Sequence, residues 1–170
     1  HTTALETFAA PRFGALGTVQ DGEPVFYRRP LRAHTKDSEF FLPENAELPQ
    51  VVVLYGYADD DGMMGKAAVS AGVKGIVYAG MGNGSVPVRV EQALAEAVKK
   101  GVIVVRSTRG AAGRVTRAEA SYEEHGFIAS DTLNPQNARV LLHLAVLKTQ
   151  KREEIRAAFL RYYGAAVQIP

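Results

Sequence analysis

A chain of 170 residues, with 20 Lys+Arg against 18 Asp+Glu, a net charge of +2 and neither cysteine nor tryptophan, suits one domain that buries roughly two thirds of its unfolded surface. Lack of cysteine excludes a disulfide framework and a thiolate metal site, and scattered, near-balanced charge leaves no electrostatic footprint for nucleic acid. No run approaches the ~18 consecutive apolar residues of a membrane span, so neither nucleic acid nor membrane is expected as a partner.

The opening His1-Thr2-Thr3-Ala4-Leu5-Glu6 has no Met, no basic region and no apolar core, so it reads as a cut end and not as a signal peptide. Residues 1–28 lack helical periodicity and place Asp21-Gly22 between the β-prone runs Gly17-Thr18-Val19 and Pro24-Val25-Phe26-Tyr27, which predicts a hairpin. A lone hairpin is marginal in water, so this one is expected to be the terminal segment of a further domain that supplies its sheet. Residues 29–49 carry Pro30, Pro43 and Pro49, mixed charge and no period; they read as an extended linker, with Phe40, Phe41 and Leu42 packing it down.

From Gln50 the pattern becomes regular. Apolar runs at Val51–Tyr55, Gly75–Ala79, Val102–Val105 and Gly126–Ala129 recur about every 25 residues, the spacing of βα units, and their unbroken β-branched character implies burial on both faces. Between them, Met64, Ala67, Ala68 and Ala71 form one helical stripe and Val90, Ala93, Leu94, Ala97 and Val98 another. Asn134 ahead of Pro135 predicts a helix start. That helix carries a stripe of Ala138, Leu141, Leu142, Ala145 and Val146 and a second of Val140, Leu144 and Leu147, an arc wide enough for burial on two sides. A last helix is predicted from Glu153 to about Tyr163, and the tail 164–170 is expected to be loose. The predicted fold is α/β: a small flavodoxin-like, four-stranded parallel sheet flanked by helices, filling residues 50–163 behind the hairpin and linker.

Two stretches depart from this rhythm. Gly80-Met81-Gly82-Asn83-Gly84-Ser85 is a permissive turn at the carboxyl end of a strand, where ligands bind in open parallel sheets. Ser107 to His125 is a connection with glycines and no clean apolar stripe, too long to be merely structural by the usual lengths of such links. It leaves the neighbouring strand, so its residues and Ser85 should line one rim. The turn lacks the third glycine of a dinucleotide fingerprint, and no His or Asp is arranged to activate Ser85 as a nucleophile. Arg106, Arg109, Arg114 and Arg117 read as a solvated basic patch, within which Glu119 is a carboxylate fit to hold a substrate ammonium. Asp59-Asp60-Asp61 is similar to the acidic pocket of a phospho-receiver, but Arg106-Ser107-Thr108 stands where a receiver needs Asp; a solvated first helical turn is the simpler reading. His1, His34, His125 and His143 lie too far apart in sequence to imply a metal site, and His143 reads as a surface or interface residue.

Tyr78 through Ser85, Val104-Val105-Arg106-Ser107, Gly126 through Ser130 and Asp131 through Arg139 resemble the C-terminal domain of bacterial type II L-asparaginases and glutaminase-asparaginases. Phe13 through Gly17 and His34 through Pro49 resemble that family's hairpin and interdomain linker, so the resemblance runs from about Thr2 to Tyr162. It implies a cofactor-free, homotetrameric amidohydrolase converting L-asparagine to L-aspartate and ammonia, with activity on L-glutamine, in the periplasm or alternatively the cytoplasm. Its nucleophilic threonine and other catalytic residues come from an N-terminal domain that has no counterpart among these residues. The C-terminal domain closes a neighbouring subunit's site, and its contributions match Ser85 and Glu119 as substrate-binding residues. Serine at the turn position tilts toward dual asparagine and glutamine specificity. The alternative is an independent flavodoxin-like small-molecule-binding or regulatory module without catalysis.

Overall fold

The computed structural model of the chain describes residue 3, residues 9–10 and residues 14–163; His1 and the tail 164–170 lie outside them. The chain divides into two units, one ending at Leu31 and the other beginning at Arg32. In the first, β1 (Gly17–Gln20) and β2 (Glu23–Phe26) pair antiparallel. Asp21 and Gly22 both take positive φ, 53° and 83°, as a two-residue hairpin turn demands and Asp-Gly tolerates. Val19, Phe26 and Tyr27 stay exposed.

The second unit is the predicted α/β fold. Strands β3 (Val51–Tyr55), β4 (Gly75–Gly80), β5 (Ile103–Thr108) and β6 (Ile128–Ala129) form a parallel sheet in sequential order. Helices α1 (Met63–Ser70), α2 (Val88–Lys99) and the short α3 (Ala120–Glu124) make the crossovers; α4 (Pro135–Lys148) and α5 (Arg152–Tyr163) follow the last strand. Side chains alternate across the sheet. Ile76, Tyr78 and Val104 join Val90, Leu94 and Tyr122 in one core, while Val77, Ile103 and Val105 join Leu142, Ile155 and Phe159 in the other. At Gly75 a Cβ would lie 2.7 Å from Leu142 Cδ2, so the glycine lets α4 approach the sheet.

Several expectations are sharpened. Helix α4 starts as predicted, with the Asn134 side chain accepting from the Asn137 amide at 2.8 Å. Its first stripe is buried, but Val140 is exposed and Leu144 and Leu147 only half-buried, so this unit covers one side of the helix. In α1 the predicted stripe is not the buried face: Met64 and Ala67 are exposed. Gly65 is buried instead, and even a methyl there would meet Leu94 at ordinary contact distance. Strand β6 is shortened because Gly126, with φ 76°, and Phe127 close α3, the Phe127 amide bonding back to Tyr122 O at 2.8 Å.

The stretch after Arg32 packs on α4 and α5. The Glu39 amide donates to Tyr162 Oη at 2.9 Å, and the Phe40 ring lies 5.4 Å from that of Tyr162. Phe41 and Leu42, expected to share this packing, are exposed. The Glu39 carboxylate pairs with Lys148 and with Arg161, the latter at 2.6 Å. The hydrogen bond from Lys148, aided by Arg161 and outweighing desolvation, holds its pKa below the ordinary 4.5. Between the lowered folded value and 4.5 the unfolded chain therefore binds more protons, and this stabilisation, complete above 4.5, is lost as pH falls through the folded value. Urea unfolding of Glu39→Gln should accordingly show lower stability than the parent above that window and converge with it in acid. Parallel curves throughout would show that the carboxylate contributes nothing.

Candidate functional site

The turn after β4 is shaped by close approaches that only glycine permits. The Ser85 amide donates to Met81 O at 2.8 Å, closing Met81–Ser85 on itself. A Cβ on Gly80 would stand 2.2 Å from Ser85 O. On Gly84, with φ 69°, it would stand 2.8 Å from Val115 Cγ1 and 3.0 Å from Ser107 O. The turn is thus pressed against both β5 and the loop that leaves it. Ser85 itself is exposed at the carboxyl end of β4. Among the described residues its hydroxyl has no histidine or carboxylate hydrogen-bond partner, so nothing here activates it as a nucleophile.

The connection from β5 to β6, read from sequence as lacking a clear helix, ends in α3. Ala118 is left-handed at φ 57°, a conformation costly for a residue with a Cβ. Glu119 follows as the N-cap of α3, extended at φ −92° and ψ 143°, and its side chain makes no capping hydrogen bond. The carboxylate is exposed and not consumed by its own helix.

What joins the two stretches is Arg106, which sequence reading placed in a solvated basic patch. It is 1 % exposed. Strand β5 continues through Thr108, so Arg106 lies inside a buried strand, between Val105 and Ser107, and must satisfy its donors within the protein. Its Nη1 donates to Asn83 O and Gly84 O, both at 3.1 Å, and its Nη2 to Thr116 O and to Arg117 O at 3.0 Å. The guanidinium lies 4.1 Å from the Tyr122 ring centroid, a cation–π contact. Burial pushes its pKa down, while Tyr122, Glu123, Glu119 and Glu91 push it back up. The charge is therefore held by carbonyl dipoles, a ring face and nearby carboxylates, without a direct ion pair.

A second tie runs alongside. Asn83 Nδ2 donates to Thr116 Oγ1 at 2.9 Å, and the Thr116 amide donates to Asn83 Oδ1 at 2.8 Å. The turn ending in Ser85 and the loop leading to Glu119 are thus bound together. This presents an exposed hydroxyl and an exposed carboxylate on one rim, equipped to hydrogen-bond a ligand and hold its cationic group.

The rest of the supposed basic patch is also committed. Arg109 donates to Gly56 O at 2.6 Å, and Arg114 makes a two-pronged pair with Asp131 at 2.6 and 3.1 Å. Arg117 is the solvated member, its Nε 3.9 Å from Glu123. The acidic triplet is likewise only partly a solvated turn: Asp60 is buried and accepts from Tyr78 Oη and the Gly62 amide, both at 3.0 Å, while exposed Asp61 accepts from the Met63 amide. Desolvation, with Asp60 adding to it, pushes the Tyr78 phenol well above its ordinary range. His125 Nε2 lies 3.4 Å from Glu91. His143 is half-buried, and desolvation and Arg139 push its pKa down. A cavity of about 340 Å³ beside the loop is lined by neither Ser85 nor Glu119; its acids, Asp131 and Glu123, are paired with Arg114 and Arg156.

Residues 50–159 match the family described as Glutaminase/Asparaginase C-terminal domain. The chain is 46 % identical over 162 residues to L-asparaginase 2 of Bacillus subtilis, covering 95 % of this chain and 43 % of that protein. It is 40 % identical over 159 residues to the "Probable L-asparaginase periplasmic" of Haemophilus influenzae, covering 93 % of this chain and 46 % of that one. The glutaminase-asparaginase of Pseudomonas fluorescens is 40 % identical over 159 residues, with 92 % and 44 % covered. The chain thus spans less than half the length of these curated relatives. Whatever the rim binds, its geometry rests on the close approach at Gly84. Gly84→Ala, which combines a left-handed backbone with a crowded Cβ, should cost about 1–3 kcal/mol of stability, read by thermal or denaturant unfolding; a neutral outcome would mean that the turn and loop do not press together.

Proposed function

The chain belongs to the glutaminase/asparaginase C-terminal domain family, and from that premise we propose that it is the C-terminal part of an amidohydrolase converting L-asparagine and water to L-aspartate and ammonia, with L-glutamine as a second substrate. The names of the relatives supply the substrate class. The observation that carries the assignment of the site is the anchoring of both rim stretches on one buried guanidinium. In this reading the attacking threonine and its partners reside in the portion of the relatives' length that these residues do not span. The rim closes the mouth of a site in a neighbouring copy within a homotetramer.

Chemistry divides the two roles. Glu119 offers a carboxylate to the substrate's α-ammonium, a hydrogen bond between charged groups worth about 1.5–3 kcal/mol. Ser85 offers a short hydroxyl, and its small size leaves room for the additional methylene of glutamine, a discrimination worth about 1–3 kcal/mol. The partly exposed second stripe of α4 supports a further chain packing against this unit. A periplasmic setting is supported by the name of the Haemophilus relative; among the described residues no helix is long and apolar enough to cross a membrane.

In the full-length protein, Glu119→Ala should raise KM for L-asparagine by roughly tenfold or more, from the hydrogen-bond energy above, and lower kcat. Ser85→Asn should lower the ratio of glutamine to asparagine turnover. The isolated 170-residue chain should release no ammonia from either amide, because its described residues hold no activated nucleophile. Unchanged kinetics in Glu119→Ala would remove that residue from the site, and ammonia release by the isolated chain would overturn the division of roles.

A further inference from the structure

We infer that Tyr122 is a positioning residue that sets the separation of Ser85 and Glu119; this rests on the reading of those two as the substrate-binding pair. Tyr122 is buried in the first turn of α3. Its amide bonds to Glu119 O at 3.2 Å, so the residue carrying the carboxylate is fixed to the backbone of Tyr122. Its phenolic oxygen reaches across to accept the Val86 amide at 3.0 Å, immediately after Ser85. Between these ends its ring lies on the Arg106 guanidinium. One side chain therefore spans from the carboxylate's own turn to the residue beside the hydroxyl, and lies on the cation that holds the carbonyls of both loops.

The requirement is chemical as well as spatial. The Val86 residue is buried, and a buried amide must be paired. If the phenol is removed, that amide can recover a partner only by shifting the turn or admitting water. Either change displaces Ser85 relative to Glu119, and misplacement of a contact group weakens substrate binding even when the fold survives. Asn83 and Thr116 form a parallel tie outside the core, which gives an independent handle on the same separation.

The test is Tyr122→Phe in the full-length protein, which keeps the ring and deletes only the acceptor. KM for L-asparagine should rise by about three- to tenfold, the loss of one hydrogen bond's worth of positioning, while kcat stays within about twofold, measured well below the unfolding midpoint. Val146→Ala, in the core on the opposite face of the sheet, supplies a variant destabilised by a cavity that should keep the parental KM. Where Tyr122→Phe does not fold, Thr116→Val reads the same separation: KM rises, and Thr116→Ser restores it. Parental KM in Tyr122→Phe, or in Thr116→Val where the first is unfolded, overturns the inference. A rise equalled by Val146→Ala also overturns it, as does a kcat loss at constant KM. Glu119→Ala separates the two levels: if it raises KM and Tyr122→Phe does not, only the positioning role falls, whereas a parental KM in Glu119→Ala removes the underlying reading.

Discussion

The buried guanidinium of Arg106 is the constraint on which the rim depends. Taking a cation out of water costs several kcal/mol even after relaxation, and no carboxylate touches this one. Four main-chain carbonyls and one aromatic face offset the cost. Those carbonyls can converge only if the turn after β4 and the loop after β5 both take one conformation. A local electrostatic demand thereby fixes the relative placement of two stretches about thirty residues apart in the chain. The strain at Ala118 is sustained by the same arrangement, because the two carbonyls that precede it are held by the guanidinium.

Parallel connectivity explains why those loops are neighbours at all. Strands β4 and β5 pair in register from Gly75↔Ile103 to Gly80↔Thr108, so their carboxyl ends finish level and their loops emerge side by side. Glycines then remove the side chains that would hold the loops apart. The site is a consequence of strand order first, of missing Cβ atoms second, and of the buried charge third.

Much of this order was legible from the residues. The β-branched runs, the 3.6-residue stripe of α2, the first stripe of α4 and the Asn134-Pro135 start each express a local preference that the tertiary structure respects. Where the reading went astray, a buried polar group or a glycine contact decided the outcome. Arg106 and a solvated arginine look alike in composition; the available signal was its place directly after Val104-Val105, inside a run that continues as strand. Helix α1 hides its true face because Gly65 carries no hydrophobicity, so the period fell on Met64 and its neighbours instead. Asp60 was read with its exposed neighbours because its phenol partner, Tyr78, is eighteen residues away. Ser85 and Glu119 were singled out by an unusual turn, an unusual loop and a family resemblance, and their substrate-binding role is a proposal. Tyr122 and Asn83 were not, since their importance lies in partners that only folding brings near.

The desolvated cation also limits how this part of the molecule can move. To swing either loop outward, the guanidinium would have to surrender carbonyl acceptors before water could reach it, a barrier of the same order as its burial cost. The rim consequently behaves as a fixed jamb and not as a door. Under the proposed function, any gating of the amidohydrolase site would fall to polypeptide other than these two loops.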